Sequence, residues 1–285
     1  MFVQNKTRKG VCFLNVILIS LVILGCHSMG KMKETSSSLP TSYATHRGPI
    51  VFYSDGPLPK ETAMLAELEA LQSQLEKELA FQKSSEPIWI YLFQDETRYQ
   101  KFLKDHYPEL PNRRAYFVQT GSRLTIYAQI GPSAGDDLRH EMTHATLHAT
   151  WPMIPLWIDE GLAEFFELPP QLGGVHRQHL ALLTHQLQQG TWQPNLERLM
   201  TKNELAEFGH LEYAEAWLWT HYLLRSTPKN REALQAALVR QTEITKSQDS
   251  AEAASYVVQI SWSRLSESEN FDQEALRHLH YLLQQ

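Results

Sequence analysis

The sequence predicts an α+β protein, with strands and helices mixed in its N-terminal half and helices almost throughout its C-terminal half. Before residue 131, short runs rich in β-branched residues alternate with segments of helical periodicity. After residue 170, apolar residues recur at helical spacing, and glycines and prolines separate the segments. At the join, a segment with two histidines four residues apart follows a strand-like run. The prediction is therefore a small mixed sheet, then a helix that carries the histidine pair, then an all-helical half.

The N-terminal half contains four segments typical of strands and two typical of helices. Leu65, Leu68, Leu71 and Leu75 are spaced by three or four residues, which predicts one face of a helix. The segment 123–130 alternates apolar and polar residues and is predicted to be a half-exposed strand. This alternation fits an edge strand, to which a peptide could pair, or an interior strand. The predicted strands are 50–53, 88–93, 115–118 and 123–130, and the predicted helices are 61–82 and 96–106.

The C-terminal half contains four further segments of helical spacing. They are separated by a Gly-Gly pair at 173–174 and by Pro194 and Pro228. The segment 256–262 fits a helix or a strand. The predicted helices are 176–188, 213–224, 231–240 and 272–283.

The segment 140–144 reads His-Glu-Met-Thr-His and directly follows the last predicted strand and its Gly-Pro-Ser turn. On a helix, residues four apart lie on one face, one turn from each other. His140 and His144 are therefore placed to bind one metal ion, and Glu141 is placed to reach a water on that ion. This is the arrangement of zinc proteases, with two histidine ligands and a glutamate as general base. The sequence predicts Zn²⁺ as the cofactor.

A third ligand is expected from the segment that follows, because a catalytic zinc ion takes three protein ligands and one open position. Trp151 precedes a proline, which ends the motif helix, and a second helix begins near Leu156. If the two helices run antiparallel, His144 lies about 7 Å before the turn and Glu160 about 6 Å after it, at 1.5 Å per residue. The two residues are then level, and Glu160 is predicted to complete the site.

Glu164 is the alternative third ligand, because it lies one helical turn beyond Glu160. It is level with His140, so our first expectation is that Glu164 orients that ring from behind, as metal-bound histidines usually require. Two phenylalanines follow Glu164 directly, which favours partial burial of this part of the helix over a solvated face.

The two motifs together resemble the gluzincin metallopeptidases. The resemblance combines the segment 140–144 with the segment 157–164, which reads Trp-x-x-Glu-Gly-x-Ala-Glu, and it covers roughly residues 50–245. The chain is most similar to a bacterial group of peptidase-MA-like domains, many of which are lipoproteins. The resemblance implies a zincin-like fold, a peptide or protein substrate, His140, His144 and Glu160 as zinc ligands, and Glu141 as the base. The spacer between His144 and Glu160 is shorter than in thermolysin-like and aminopeptidase members, so their specificity is not implied.

Further residues are candidates for supporting roles. Zinc peptidases commonly add a Tyr or His that hydrogen-bonds the oxyanion. Tyr213 is our candidate because it is expected at the head of a helix, as in the related domains. His148 is expected behind the ligands or at the surface, because Trp151 stands where a metzincin has its third histidine. The weaker rivals of Tyr213 are His210, His221, Tyr222 and Tyr127, and the histidines expected at the surface are His176, His179 and His185.

The N-terminus has the pattern of a bacterial lipoprotein leader. Three basic residues precede an apolar run that is short for a membrane span and ends in Ile-Leu-Gly-Cys. This end resembles a lipobox, which implies cleavage before Cys26 and lipid attachment to its thiol; the alternative is an uncleaved anchor helix. Either places the domain outside the cytoplasm, in the cell envelope, and tethers it to a membrane. Cys12 lies in the leader, so no disulfide is expected.

The predicted domain organisation has four parts. Residues 1–25 are the leader, 26–48 a flexible tether rich in Ser and Thr, 49–245 the metallopeptidase domain and 246–285 a helical extension. The net charge of −6 and the lack of a basic patch argue against nucleic acid as a partner. Two alternatives to a peptidase are a non-catalytic binding or scaffold lipoprotein on the same fold and a metal-dependent hydrolase of a non-peptide bond.

Overall fold

The computed structural model describes residues 39–57, 61–82, 84–151, 153–247, 262 and 270–285. Within these residues the chain is α+β, with a five-stranded mixed sheet followed by a mostly helical second half, as predicted. No helix of the described residues is both long and apolar enough to cross a membrane. The predicted leader, Cys26 and nearly all of the ambiguous segment 256–262 lie outside the described residues.

The sheet has the strand order β1-β2-β3-β5-β4. The central strands β2, β3 and β5 are parallel, and the two outer strands, β1 and β4, pair antiparallel with their neighbours. The segment 123–130 is therefore an interior strand, and β4 is the edge strand on this side. The strands are β1 Tyr43–Arg47, β2 Ile50–Ser54, β3 Ile88–Phe93, β4 Ala115–Thr120 and β5 Arg123–Gln129.

Helices cover both faces of the sheet, so the prediction of a half-exposed strand at 123–130 was wrong. On one face of β5, Ile126 and Ala128 pack in the main core with α1 and α3. On the other face, Tyr127 is 9% exposed and joins a second, largely aromatic cluster beneath α2. Alternation predicted the two faces of this strand but not that α2 would cover its polar face.

The strand β1 lies within the segment 26–48, which was predicted to be a flexible tether. Tyr43 to Arg47 pairs in register with Ser54 to Ile50 of β2. This part of the prediction was wrong. The surrounding Ser, Thr and Pro residues are typical of a tether and outweighed the signal of a five-residue run whose Tyr and Thr favour strands. Its side chains are mostly exposed, as expected of a short strand at the edge of the sheet.

Nine α-helices occur in the described residues. Several begin earlier or extend further than predicted, and the five-residue helix α6 was not predicted. The helix α5 begins one residue after His176, whose side chain caps it. The helices are α1 Glu61–Leu79, α2 Glu96–His106, α3 Ala134–Thr150, α4 Leu156–Phe166, α5 Arg177–Gln188, α6 Leu196–Met200, α7 His210–Arg225, α8 Pro228–Ser247 and α9 Phe271–Leu282.

The helices α3 and α4 form the predicted hairpin, and α7 packs closely against α4. Trp151 ends α3 before a proline, and Pro155 precedes α4. Gly161 lies where α4 and α7 approach, because a Cβ atom there would stand 2.3 Å from Thr220 Oγ1 and 2.5 Å from the Ala216 carbonyl oxygen. A larger residue at 161 would force the two helices apart.

The C-terminal helix α9 joins the same apolar core as the helices before it. Phe271 stacks on Trp219 of α7 with ring centroids 5.0 Å apart, and the His278 and His221 rings are 2.9 Å apart at their nearest nitrogens. The segment that was predicted to be a C-terminal extension therefore contributes side chains to the main core.

Candidate metal centre

The helices α3 and α4 bring three of the predicted site residues together. We call His140, His144 and Glu160 the ligand triad. Their facing atoms are separated by 3.2 Å between His140 Nε2 and His144 Nε2, and by 3.6 and 3.5 Å from these nitrogens to Glu160 Oε2. Ligand atoms that lie about 2.0–2.2 Å from a tetrahedral zinc ion are about 3.3–3.6 Å from each other. The triad thus has the spacing of three ligands around one ion.

The unpaired carboxylate oxygen of Glu160 is the strongest indication that this site binds a ligand. Its side chain is only 2% exposed, and Oε2 has no hydrogen-bond partner among the described residues. The two imidazole nitrogens are too distant from it for good hydrogen bonds. A buried carboxylate oxygen without a partner is costly, whereas the same oxygen is a good zinc ligand. The residues present therefore fit a metal ion.

The electrostatics of the triad favour positive charge at its centre. Burial opposes protonation of His144, but the charges of Asp159 and Glu160 outweigh it and raise the pKa of this imidazole to about 10. The pKa of His140 is likewise raised well above its ordinary value, because Glu160 and Glu167 outweigh burial. The pKa of Glu160 is lowered to about 2, since the charges of the two imidazoles outweigh its burial. The surrounding carboxylates thus stabilise a cation at this position.

Asp159 orients the ring of His144 from behind. Its Oδ1 accepts a hydrogen bond from His144 Nδ1 at 3.0 Å, and its Oδ2 lies 3.0 Å from His148 Nε2. Asp159 and His148 are both 2% exposed. His148 thus lies behind the ligands, which is one of the two positions expected for it. Asp159 was missed in the sequence, although its place next to Glu160 and the series of histidines at 140, 144 and 148 offered a signal.

Glu167, and not Glu164, orients the ring of His140. Glu167 Oε2 lies 2.9 Å from His140 Nδ1, and its Oε1 lies 3.0 Å from His176 Nε2. The expectation that Glu164 would do this was wrong because position 167, seven residues after Glu160, lies almost directly in line with it on a helix of 3.6 residues per turn. Glu164 is hydrogen-bonded to a histidine of α5 instead, although its carboxylate lies within 4.8 Å of His140 and Glu167.

The residue before His140 fixes the end of α4 that carries Glu167. Arg139 is 2% exposed, and its guanidinium donates to the carbonyl oxygens of Phe166, Glu167 and Leu168 at 2.8–3.0 Å. These carbonyls would otherwise lack partners at the end of the helix. One turn of α3 thus both caps α4 and presents His140 to Glu167.

Glu141 lies beside the triad and is held by the edge strand. Its Oε2 accepts a hydrogen bond from the backbone N–H of Phe117 at 2.6 Å. Burial raises the pKa of Glu141, and the charge of Glu160 raises it further, while His140, His144 and the Phe117 N–H lower it. A carboxylate whose pKa is raised accepts a proton more readily than an ordinary one, which suits a general base.

A cleft of about 530 Å³ opens onto the triad. Its lining includes the triad, Glu141 and the exposed side chain of Arg113. Arg113 donates a hydrogen bond from Nη2 to the hydroxyl of Tyr213 at 3.0 Å. Tyr213 is the fourth residue of α7 and not its first, and it contacts the cleft through Arg113. Burial and the charge of Glu160 raise the pKa of Tyr213 to about 12, against the opposing effect of Arg113.

The rivals of Tyr213 have other partners or lie at the surface. His221 faces His278, and the Tyr222 hydroxyl donates to Glu274. Tyr127 accepts a hydrogen bond from the Tyr107 hydroxyl at 3.2 Å, and His210 is exposed at the start of α7.

A second cluster of two histidines and a glutamate lies next to the triad. We call Glu164, His176 and His179 the second cluster; their ligand atoms lie within 4.8 Å of one another. Glu164 Oε2 is 2.7 Å from His179 Nε2, and the two imidazole rings stack with centroids 3.8 Å apart. The histidine side chains are 11% and 14% exposed, so the expectation that they lie at the surface was wrong. His185 is exposed, as predicted.

Comparison with known proteins does not assign the chain to a family. No protein-family model matches the chain, and no curated protein matches it either. The candidate site therefore rests on its own residues and distances.

Proposed function

We propose that the chain is a zinc-dependent hydrolase of peptide bonds on a zincin-like fold. The observation that carries this proposal is the ligand triad, in which Glu160 Oε2 is buried without a hydrogen-bond partner at ligand spacing from His140 and His144. Two histidines and a glutamate are the ligand set of several catalytic zinc peptidases, which leave one position open. Asp159 and Glu167 supply the orienting carboxylates that such histidines require.

Glu141 is the proposed general base. A zinc ion bound by the triad would polarise the scissile carbonyl and make a water molecule more acidic. Glu141 takes the proton of the attacking water and passes it to the leaving amine. The backbone N–H of Phe117 holds one carboxylate oxygen of Glu141, which fixes its orientation for this transfer.

The edge strand β4 supports a peptide as the substrate. In an antiparallel pair, alternate residues direct their N–H and C=O groups toward the partner strand. The Phe117 N–H bonds to Glu141 and not to β5, so the residues two positions away on either side also direct their backbone groups away from β5, toward the open edge. A peptide could add to this edge by main-chain hydrogen bonds and so cross the site. The segment 123–130, for which the sequence pattern allowed this role, is interior and does not offer such an edge.

The N-terminal sequence adds a location to this proposal. A lipobox-like Cys26 after a short apolar run supports a lipid-anchored protein that faces outside the cytoplasm in a bacterial cell envelope. The substrate would then be a peptide or protein of that compartment.

The test compares wild type with Glu141→Gln and with Glu86→Gln, an exposed residue outside the cleft. Zinc content is measured by elemental analysis, and cleavage of a peptide library by mass spectrometry. Glu141→Gln should keep one zinc ion per chain and lose at least about 10²-fold in cleavage rate, because the proton acceptor is gone. Glu86→Gln should behave like wild type. If Glu141→Gln cleaves as fast as wild type, the mechanism is wrong.

The same measurements separate the two alternatives. Zinc without cleavage of any peptide, but with hydrolysis of cell-wall material, would favour a hydrolase of a non-peptide bond. The absence of stoichiometric zinc would favour a binding or scaffold protein.

A further inference from the structure

Among the described residues that line the cleft, Arg113 is the one side chain that stays positively charged when a metal ion is bound. The other charged groups of the lining are the triad, Glu141 and Glu109. The two histidines would bind a metal ion as neutral imidazoles. Glu141 and Glu160 then balance the two charges of a divalent ion, which leaves Arg113 and Glu109 as the remaining charges. No ion pair within the described residues occupies Arg113.

Tyr213 positions Arg113 but leaves most of its donors available. A guanidinium has five N–H donors, and Tyr213 accepts one of them at 3.0 Å. The guanidinium also lies over the Tyr213 ring, with Cζ 5.7 Å from the ring centroid. The contact is a cation–π interaction, which uses the face of the guanidinium and none of its N–H donors. Arg113 is thus a held cation in the lining of the cleft, and no hydrogen bond within the described residues uses its other four donors.

We propose that Arg113 binds a carboxylate of the peptide substrate and so sets which peptides are cleaved. The proposal rests on the proposed peptidase function. The planar guanidinium fork matches a carboxylate with two parallel hydrogen bonds, whereas a neutral carbonyl accepts them more weakly. The carboxylate belongs to an Asp or Glu side chain or to the C-terminus of the peptide; both have the same chemistry.

The test uses one proteome-derived peptide library in two forms, native and with all carboxylates converted to amides. Zinc-loaded wild type, Arg113→Gln, Arg113→Lys and Arg114→Gln are compared by mass spectrometry of the products. Arg114→Gln is the matched control, because the neighbouring arginine pairs with Asp137 outside the cleft lining and its loss changes the net charge equally.

Amidation should slow cleavage by wild type about 10- to 100-fold, the usual cost of a lost charged hydrogen-bond pair. Arg113→Gln should cleave the native library as slowly as wild type cleaves the amidated one, with no further loss on amidation. Arg113→Lys should retain part of the preference, and Arg114→Gln all of it. The position of the carboxylate relative to the scissile bond distinguishes a side chain from a C-terminus.

Two results would overturn the proposal about Arg113. If wild type cleaves both libraries equally fast, no carboxylate of the substrate is recognised. If Arg113→Gln slows cleavage of both libraries equally, Arg113 stabilises the transition state instead.

Retention of library peptides on immobilised Glu141→Gln, with and without Arg113→Gln, gives a readout that needs no turnover. Retention that depends on Arg113 without any cleavage by wild type would refute the peptidase and leave the carboxylate site in place. If peptides are neither cleaved nor retained, both proposals fall.

Discussion

The ligand triad and the second cluster contain the same residue types, two histidines and one glutamate, yet their geometry differs. In the triad, the three facing atoms are 3.2–3.6 Å apart, and Glu160 Oε2 has no hydrogen-bond partner among the described residues. In the second cluster, His179 lies 2.7 Å from Glu164, and His176 lies 3.0 Å from Glu167 but 3.9 Å from Glu164. The first set has ligand spacing, and the second has the spacing of hydrogen-bonded pairs.

The cause of the difference is which ring nitrogen has a partner. In the triad, the Nδ1 atoms of His140 and His144 face Glu167 and Asp159, so both Nε2 atoms can turn to the centre. In the second cluster, the Nε2 atoms face carboxylates, and His176 Nδ1 accepts from the backbone N–H of His179 at 3.3 Å. His176 must then carry its proton on Nε2, which a ligand nitrogen cannot. Residue composition alone therefore does not distinguish a metal site from a hydrogen-bonded support.

Glu167 joins the two clusters. One of its carboxylate oxygens lies 2.9 Å from His140 Nδ1, and the other lies 3.0 Å from His176 Nε2. The second cluster thus supports the carboxylate that orients a triad histidine. Substitutions in and around the two clusters test whether the triad binds the metal ion and the second cluster only supports Glu167. They follow from the largest expected effect to the smallest.

The largest effect is expected from removing the carboxylate of the ligand triad, with removal of the carboxylate of the second cluster as its control. Structural zinc sites bind with about 10–16 kcal/mol shared by four ligands, so one ligand contributes roughly 2.5–4 kcal/mol. Glu160→Ala should therefore weaken zinc binding on the order of 10²- to 10³-fold, whereas Glu164→Ala should keep one zinc ion per chain. Competition with a chelator of known affinity measures both, and circular dichroism checks that both variants are folded.

Either of two outcomes would break the comparison. If Glu164→Ala loses the zinc ion and Glu160→Ala keeps it, the ligand is Glu164. If wild type binds two zinc ions and Glu164→Ala binds one, the second cluster is itself a metal site.

A smaller effect is expected at Gly161, which lets α7 approach the helix that carries both glutamates. In Gly161→Ala, the new Cβ would overlap Thr220 Oγ1 and the Ala216 carbonyl, 2.3 and 2.5 Å away. Overpacking of this kind costs about 1–3 kcal/mol of unfolding free energy. Zinc affinity should fall as well, because Glu160 precedes the displaced residue. Denaturant unfolding and zinc competition measure the two effects.

Gly135→Ala is the matched control for this substitution. Gly135 lies in α3, and a Cβ added there would have no neighbouring atom of the described residues within 4 Å, so alanine should stabilise the protein by up to about 1 kcal/mol. If Gly161→Ala is as stable as Gly135→Ala, the close approach of α4 and α7 is not required.

Local signals in the sequence were sufficient to predict most of the fold. The strands at 88–93 and 123–129 and the helix at 96–106 follow from apolar runs and periodicity over a few residues. The approach of Glu160 to His144 followed from two proline-limited helices and a rise of 1.5 Å per residue. These inferences succeeded because each depends on neighbours in the chain.

The predictions that failed depend on contacts between distant segments. The burial of Tyr127 requires α2 to cross the sheet, and no periodicity within residues 123–129 encodes that. The choice of Glu167 over Glu164 depends on how far α4 extends and how Arg139 caps its end. His176 is largely shielded from solvent because its partner Glu167 lies across the turn between α4 and α5. The burial of Tyr127 and of His176 is set by packing, and helical spacing selects Glu167 only once the end of α4 is known.

The smallest effects on zinc affinity are expected from substitutions of the residues that support His140 from behind. Glu167→Gln should weaken zinc binding about 10- to 100-fold, the usual cost of losing a carboxylate behind a metal-bound histidine. His176→Gln removes a second partner of Glu167 and should cost less than tenfold, because Glu167 still faces His140. His179→Gln is the control: its ring faces Glu164, so zinc affinity should stay near that of wild type. The His179 ring also stacks on His176, so an effect relayed through Glu167 should appear in His176→Gln as well. A loss in His179→Gln as large as in Glu167→Gln, with a small loss in His176→Gln, would mean that the second cluster contributes directly to metal binding.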